Sequence, residues 1–187
     1  MRIISGQFKG KKLLEPIDKK TRPLKDLVKE SLFNIIKHSK KLNIDLEKSN
    51  VLDLFAGVGS FGLEALSRGA KDVLFIENYN EVVKILKKNI ENLDLNKKCD
   101  VLEKDIMKDF NFKELNKSFD IIYLDPPFKE KNINLLIMKI NKSNILKTNG
   151  IIILHRHKDE NDQFIDEFNI VEEKQYGISK IIFLSLF

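Results

Sequence analysis

A chain of 187 residues with 42% hydrophobic and 33% charged side chains is long enough for one well-cored α/β domain with a modest extension, and too short for a second full domain. No apolar run approaches the roughly 20 residues that span a bilayer, and the start, Met1-Arg2-Ile3-Ile4-Ser5-Gly6, lacks an apolar signal core, so a cytoplasmic protein without a membrane segment is expected. The net charge of +5 is uneven: residues 1–50 hold 13 Lys/Arg against 6 Asp/Glu and the remainder 20 against 22, as in a phosphate-contacting arm on a neutral body.

The first fourteen residues alternate polar and apolar around Gly6 and Gly10, which predicts a hairpin-like extension carrying Arg2, Phe8, Lys9, Lys11 and Lys12. From Pro23, a first-turn residue, Leu24, Leu27, Val28, Leu32, Ile35 and Ile36 recur at helical spacing. Residues 1–40 therefore read as a basic extension of hairpin plus helix, and residues 41–187 as the main domain. Within that domain, strands are expected at Val51–Leu54, Val73–Ile76, Asp100–Glu103, Ile121–Leu124 and Ile151–Leu154. Helices fall near Phe61–Arg68, Glu81–Leu93, Ile133–Ile140 and Asp162–Phe168. Val171–Gln175 and Ile181–Leu186, joined at Gly177, close the sheet as an antiparallel pair. Strand–helix alternation implies a mostly parallel, doubly wound sheet with ligands beyond the carboxyl ends of its strands. The lone Cys99 can form no internal disulfide, and with His38, His155 and His157 as the only histidines no metal site is expected.

Two strand ends carry the chemistry. Asp53-Leu54-Phe55-Ala56-Gly57-Val58-Gly59-Ser60-Phe61-Gly62 follows the first strand and opens a helix, the setting in which a glycine-rich turn lets backbone approach a ligand. Gly57, Gly59 and Gly62 also satisfy the dinucleotide-binding pattern, with Glu77 20 residues beyond Gly57. Asp53 argues against that reading, because a carboxylate there repels a pyrophosphate and favours the cationic amino-acid portion of S-adenosylmethionine. Glu77 can accept from both ribose hydroxyls. Asp105 can accept from an adenine amine, with Ile106 covering the ring, although Glu103 and Asp109 compete for that role.

The second strand end is Asp125-Pro126-Pro127-Phe128, directly after Ile121-Ile122-Tyr123-Leu124. Pro127 holds Pro126 extended, so the Asp125 carboxylate and the Pro126 carbonyl stand as two fixed acceptors. Such a pair suits the two protons of an exocyclic amine, with Phe128 stacked on the ring that bears it. The competing reading of the tetrapeptide is a surface turn. His155 and His157 flank Arg156 at a strand end and read as solvated. Phe8 is equally fitted to stack on a base or to anchor a small extension, and Arg2 and Arg22 to meet a phosphate or a carboxylate. A solvated basic surface is the competing account of the arm's lysines.

These motifs, in this order and behind a basic arm, resemble the RsmD family of 16S ribosomal RNA guanine-N2 methyltransferases over nearly the whole chain. The distinguishing part is Arg2-Ile3-Ile4-Ser5-Gly6 followed by Arg22-Pro23-Leu24-Lys25-Asp26-Leu27-Val28-Lys29-Glu30-Ser31-Leu32-Phe33-Asn34. The resemblance implies a Rossmann-like class I methyltransferase fold with a seven-stranded sheet and an antiparallel C-terminal strand. It implies S-adenosylmethionine as cofactor, catalysis by Asp125, Pro126, Pro127 and Phe128, and RNA contact by the extension, with Arg2, Phe8, Lys9, Lys11, Lys12, Arg22, Lys25 and Lys29 as contact residues. Lys25, Leu27 and Lys29 stand where the family has threonine, arginine and arginine, and a lysine does not reproduce a bidentate guanidinium contact. His155 stands where an acidic residue is expected. The implied partner is 16S rRNA, naked or in a partly assembled small subunit, and the length permits a monomer. A DNA or RNA adenine-N6 enzyme would use the same tetrapeptide, but the chain leaves no room for the insertion that reads DNA. A protein-glutamine methyltransferase is chemically compatible as well, and a catalytically idle RNA-binding module of the same fold would keep the basic arm.

Overall fold

The computed structural model describes residues 1–16, 24–108 and 110–186; Arg22, Pro23 and Asp109 lie outside the described residues. Among the described residues, a single sheet collects β1 (Asn50–Leu54), β2 (Asp72–Glu77), β3 (Cys99–Glu103), β4 (Phe119–Leu124), β5 (Leu146–His157), β6 (Phe168–Tyr176) and β7 (Ser179–Leu186). The strand order is β3-β2-β1-β4-β5-β7-β6, with β7 antiparallel to both its neighbours and the first five strands parallel. The doubly wound sheet read from strand–helix alternation is therefore present, with its closing pair turning at Gly177.

Period-two alternation splits the side chains between two cores. Val51, Ile121, Tyr123, Ile151 and Ile153 face one side, and Leu52, Leu54, Ile122, Leu124, Ile152 and Leu154 the other. The first side is covered by α1 (Asp26–His38), α2 (Ser60–Ser67) and α3 (Asn80–Asn92), and the second by α4 (Ile133–Lys142). A continuous column of rings runs from α1 to the sheet, with Phe61 stacked on Tyr123 at 4.0 Å and on Phe33 at 5.1 Å.

The hairpin at residues 1–14 is minimal: Arg2 bridges Lys12, and the Ile3 N–H donates to the Lys11 carbonyl at 2.9 Å. Ile3 and Leu13 are buried in the same core as α1, α2 and α3, so the arm is packed onto the main domain. Among the described residues no helix is long and apolar enough to cross a membrane.

Three expectations are corrected. α1 is rotated from its apolar pattern, leaving Leu27 70% exposed while Lys29 is fully enclosed. Burying Lys29 is possible because a carboxylate awaits it, as described below. The helix expected at Asp162–Phe168 is absent: Asp162 is held by Arg156, a turn follows, and Phe168 begins β6 with its ring buried. β5 also starts five residues before Ile151, at Leu146.

Candidate active site

The strand order reverses between β1 and β4, which pair in parallel from Val51↔Ile121 to Leu54↔Leu124. In an open α/β sheet such a reversal opens a crevice beyond the strands' carboxyl ends. Asp53 stands at the end of β1, Glu77 at the end of β2, and Asp125 follows β4. The reversal thus gathers three of the acids singled out from the sequence.

The loop between β1 and α2 is shaped by its own backbone bonds and by carboxylates. The Ala56 N–H donates to the Ile76 carbonyl and the Gly59 N–H to the Ala56 carbonyl. Glu77 accepts from the Gly57 N–H at 2.8 Å through Oε2, and from the N–H groups of Asn78 and Tyr79 through Oε1. Phe55 takes φ 58°, and Gly57 and Gly59 take 55° and 89°, a left-handed course that glycine adopts without a Cβ penalty. A Cβ at Gly59 would lie 2.6 Å from Leu86, and one at Gly62 2.3 Å from the Phe75 ring, so these two glycines let the loop and α2 seat tightly. Among the described residues a Cβ at Gly57 would meet nothing within 4 Å.

Asp53 is 1% exposed, and its Oδ2 accepts from the Gly62 N–H at 2.9 Å while Oδ1 is buried without a partner among the described residues. Burial pushes its carboxyl well above the usual range; the Gly62 bond opposes this, and the charges of Asp125 and Glu77 add to it. A cationic group placed among the three would relieve that strain. On the next strand end, Asp105 accepts from the Met107 N–H and pairs with Lys108, and Ile106 is buried. These contacts form a turn after β3.

At the tip of β4, the Asp125 N–H donates to the Leu54 carbonyl at 3.3 Å, tying the tetrapeptide to β1. Asp125 Oδ1 lies 2.8 Å from His155 Nδ1, and Oδ2 accepts from the Tyr123 hydroxyl at 3.3 Å. The Tyr123 hydroxyl is held above its usual pKa by burial and by the neighbouring charges of Asp125 and Asp53. Pro126 is buried, Pro127 exposed, and Phe128 half-buried with its ring edge-on to His155 at 5.6 Å and to His157 at 5.3 Å.

His155 corrects the solvated reading, being 7% exposed and bonded to Asp125. Strand β5 is buried on both faces from Gly150 to Arg156, so the strand period alone does not mark His155 as enclosed. Arg156 is a further enclosed residue of this strand end. Buried, it donates from Nη2 to the Glu130 carbonyl at 3.0 Å and from Nε to Asp162 at 2.9 Å, bracing the chain just after the tetrapeptide. Nothing in its local sequence distinguishes it from a solvated arginine.

On the arm, Lys9, Lys11, Lys12 and Lys25 are exposed, and Phe8 is half-buried against the core. Arg2 is largely exposed and pairs with Asp26 at 2.9 Å. Lys29 is a correction: its ammonium donates to the Arg2 carbonyl at 2.8 Å and lies 3.8 Å from Glu64, with no surface left for a phosphate. Glu64, also enclosed, accepts from the N–H groups of Ile4 and Ser5 and from Arg68 Nε. Asn89 of α3 bonds both polar backbone groups of Leu14 and donates to the Val58 carbonyl at 3.1 Å, so the arm abuts the glycine loop. Neither Glu64 nor Asn89 carried a motif.

The family model described as Conserved hypothetical protein 95 matches residues 1–185. Ribosomal RNA small subunit methyltransferase D of Haemophilus influenzae is 34% identical over 179 residues, covering 95% of this chain and 90% of the relative. The solved structure of yhhF from Escherichia coli superposes with a TM-score of 0.81 at 27% identity, over 100% of this chain and 97% of that one. SMU.776, solved in complex with SAH, shares the fold alone, at a TM-score of 0.65 and 17% identity over 84% of this chain and 49% of that one. The sheet order, the glycine loop and the strand-end tetrapeptide thus occur together in a chain of class I methyltransferase fold that belongs to the RsmD family of ribosomal RNA methyltransferases.

Proposed function

We propose that this protein transfers a methyl group from S-adenosylmethionine to the exocyclic N2 amine of a guanine in 16S ribosomal RNA. The observation that carries the reading is the meeting of the glycine loop and the Asp125 carboxylate at one strand reversal, beside a buried acid that has no counter-charge among the described residues. Relatives named for ribosomal RNA methylation support the substrate class. The choice of guanine N2 rests on family membership.

When bound, S-adenosylmethionine supplies a methyl already activated on a sulfonium. The residues present fit it: Asp53, sealed at the strand end, lends its charge to the cationic amino-acid portion, Glu77 keeps one lone pair, on Oε2, for a ribose hydroxyl, and Gly57 leaves room for the ligand to approach. Asp105 and Ile106 take the adenine edge and face. The remaining work is positioning and exclusion of water. Asp125 and the Pro126 carbonyl each accept one proton of the amine, which draws its nitrogen lone pair toward the incoming methyl. Phe128 holds the base, turned out of its stack, from one face. The bound donor would supply the methyl and keep the C–S electron pair on its sulfur, and the methylated amine, held by Asp125 and the Pro126 carbonyl, would release one proton to water. The exposed cations Lys9, Lys11, Lys12 and Lys25, with Arg2, Arg22 and Phe8, hold the RNA alongside.

Incubation with labelled S-adenosylmethionine and 16S rRNA, naked or in small-subunit particles, followed by nucleoside analysis, tests the proposal. N2-methylguanosine is expected. N6-methyladenosine would overturn the choice of base, and no transfer to either RNA form would overturn the activity. Asp125→Ala should abolish transfer while S-adenosylmethionine still binds.

A further inference from the structure

β4 and β5 run parallel in a register that pairs Tyr123 with Ile153 and Leu124 with Leu154. The next residue of each strand, Asp125 and His155, therefore emerges beside the other at the crevice. Their side chains meet at 2.8 Å between Oδ1 and Nδ1. The imidazole is 7% exposed and flanked edge-on by Phe128. Its other nitrogen, Nε2, is buried and has no partner among the described residues. A histidine that merely fills a polar niche satisfies both ring nitrogens; here, among the described residues, the ring's one hydrogen bond goes to Asp125.

We infer that His155 is a positioning residue for methyl transfer, donating its Nδ1 proton to Asp125 Oδ1 and so fixing the carboxylate's rotation. This rests on the function proposed above. A carboxylate turns freely about its terminal torsion unless it is held. The other restraint on Asp125 is the Tyr123 hydroxyl at 3.3 Å, a long contact for an O–H donor. With Oδ1 engaged by His155, Oδ2 is left to face an amine, and the same imidazole borders the Phe128 ring that grips the base. His155 thereby sets the spacing between the proton acceptor and the stacking ring. Ground-state binding does not need that spacing to be tight; transfer does, and a displacement of about 1 Å is enough to cost on the order of 100-fold in rate.

The test compares three replacements in the full chain. Asn places an amide N–H close to where Nδ1 stands, Gln places it near Nε2, and Leu removes it. His155→Asn should keep kcat within about fivefold of the wild type. His155→Gln and His155→Leu should lose about 100-fold in kcat, with KM for RNA and Kd for S-adenosylmethionine changed by less than about threefold. A second measurement needs no RNA: histidine-ring 15N NMR of the wild type should show Nδ1 protonated and its proton slow to exchange, a signature lost in Asp125→Ala. The inference is overturned if His155→Leu turns over like the wild type, if Gln rescues as well as Asn, or if the proton sits on Nε2. A wild type that methylates no rRNA yet shows the Nδ1 proton overturns the proposed function and leaves the Asp125–His155 bond standing. An active wild type without that proton overturns the inference alone.

Discussion

Glu64 and Asp53 are both sealed from water on the same side of the sheet, one in α2 and one in β1, yet their surroundings differ. Glu64 is fully supplied: two N–H groups from the arm, the Arg68 guanidinium at 2.7 Å and the Lys29 ammonium at 3.8 Å. Among the described residues Asp53 has one N–H, an Oδ1 without a partner, and two further carboxylates for neighbours. A buried charge is tolerated when it is paired and hydrogen-bonded. Glu64 meets that condition within the folded chain and is a fastener between arm and body. Asp53 does not, and the missing positive charge is what the proposed cofactor brings.

Breaking the fastener should have the largest effect. Glu64→Ala would strand the Lys29 ammonium and the N–H groups of Ile4 and Ser5 inside the protein, a loss of about 3–5 kcal/mol of unfolding free energy in urea titration. Replacing Lys29 together with Glu64 by apolar residues of similar size should recover much of that loss, since no unpaired charge then remains. If Glu64→Ala costs under about 1 kcal/mol, the arm is not held as described.

The glycines repeat the contrast at backbone level. Gly62→Ala would drive a Cβ into the Phe75 ring, now 2.3 Å from where that atom would sit, and should cost about 1–3 kcal/mol of stability by overpacking. Gly57→Ala meets nothing within 4 Å among the described residues and carries the strain of its positive φ, about 1–2 kcal/mol. Its added methyl instead projects into the space proposed for the cofactor. Thermal melts and calorimetric titration with S-adenosylmethionine should therefore rank the two variants in opposite orders, Gly62→Ala the less stable and Gly57→Ala the weaker binder.

Which of these features the sequence discloses depends on how local their physics is. Alternation along Val51–Leu54 and Ile121–Leu124, and the left-handed turn demanded at Gly57 and Gly59, are decided by neighbours in the chain, so the sheet and its loop are legible. The tetrapeptide is legible for the same reason. Lys29 and Leu27 are not: helical period alone places Leu27 inward, and only the carboxylate arriving from α2, 35 residues later, inverts the choice. The Asp162–Phe168 helix fails likewise, because Arg156 engages Asp162 and Phe168 is needed at the start of β6. His155 lies between these cases. The face it shares with Ile151 and Ile153 is local, whereas its partner Asp125 is 30 residues away and known only through the strand register.

Neutralising the unsatisfied acid sharpens the contrast further. Because the folded-state pKa of Asp53 is raised, the native chain holds that proton more tightly than the unfolded chain. Its contribution to stability is therefore full below the ordinary value of 3.8 and is lost as pH climbs through the raised folded-state value. Asp53→Asn keeps an acceptor for the Gly62 N–H and removes the charge, so at neutral pH it should stabilise the protein by about 1 kcal/mol and flatten that part of the pH–stability curve. The same change should weaken S-adenosylmethionine binding by about tenfold or more, and the wild type should lose affinity as pH falls and Asp53 takes up its proton. A variant that became less stable at neutral pH would show that Asp53 is fastened like Glu64.

The smallest effect should come from Tyr123→Phe. The hydroxyl contributes one long bond to Asp125 Oδ2, while the ring, stacked on Phe61, carries the packing. Deleting the oxygen leaves that column intact and frees a lone pair that faces the crevice, so stability should shift by about 0.5 kcal/mol or less and kcat by about two- to threefold. Were His155 idle, Tyr123 would be the sole side-chain restraint on the carboxylate among the described residues, and its removal would cost far more. Combining the two replacements decides between these cases. If both bonds hold one rotation of Asp125, Tyr123→Phe in a His155→Leu background should have a larger effect on kcat than in the wild type, a non-additivity that two independent structural contacts would not produce.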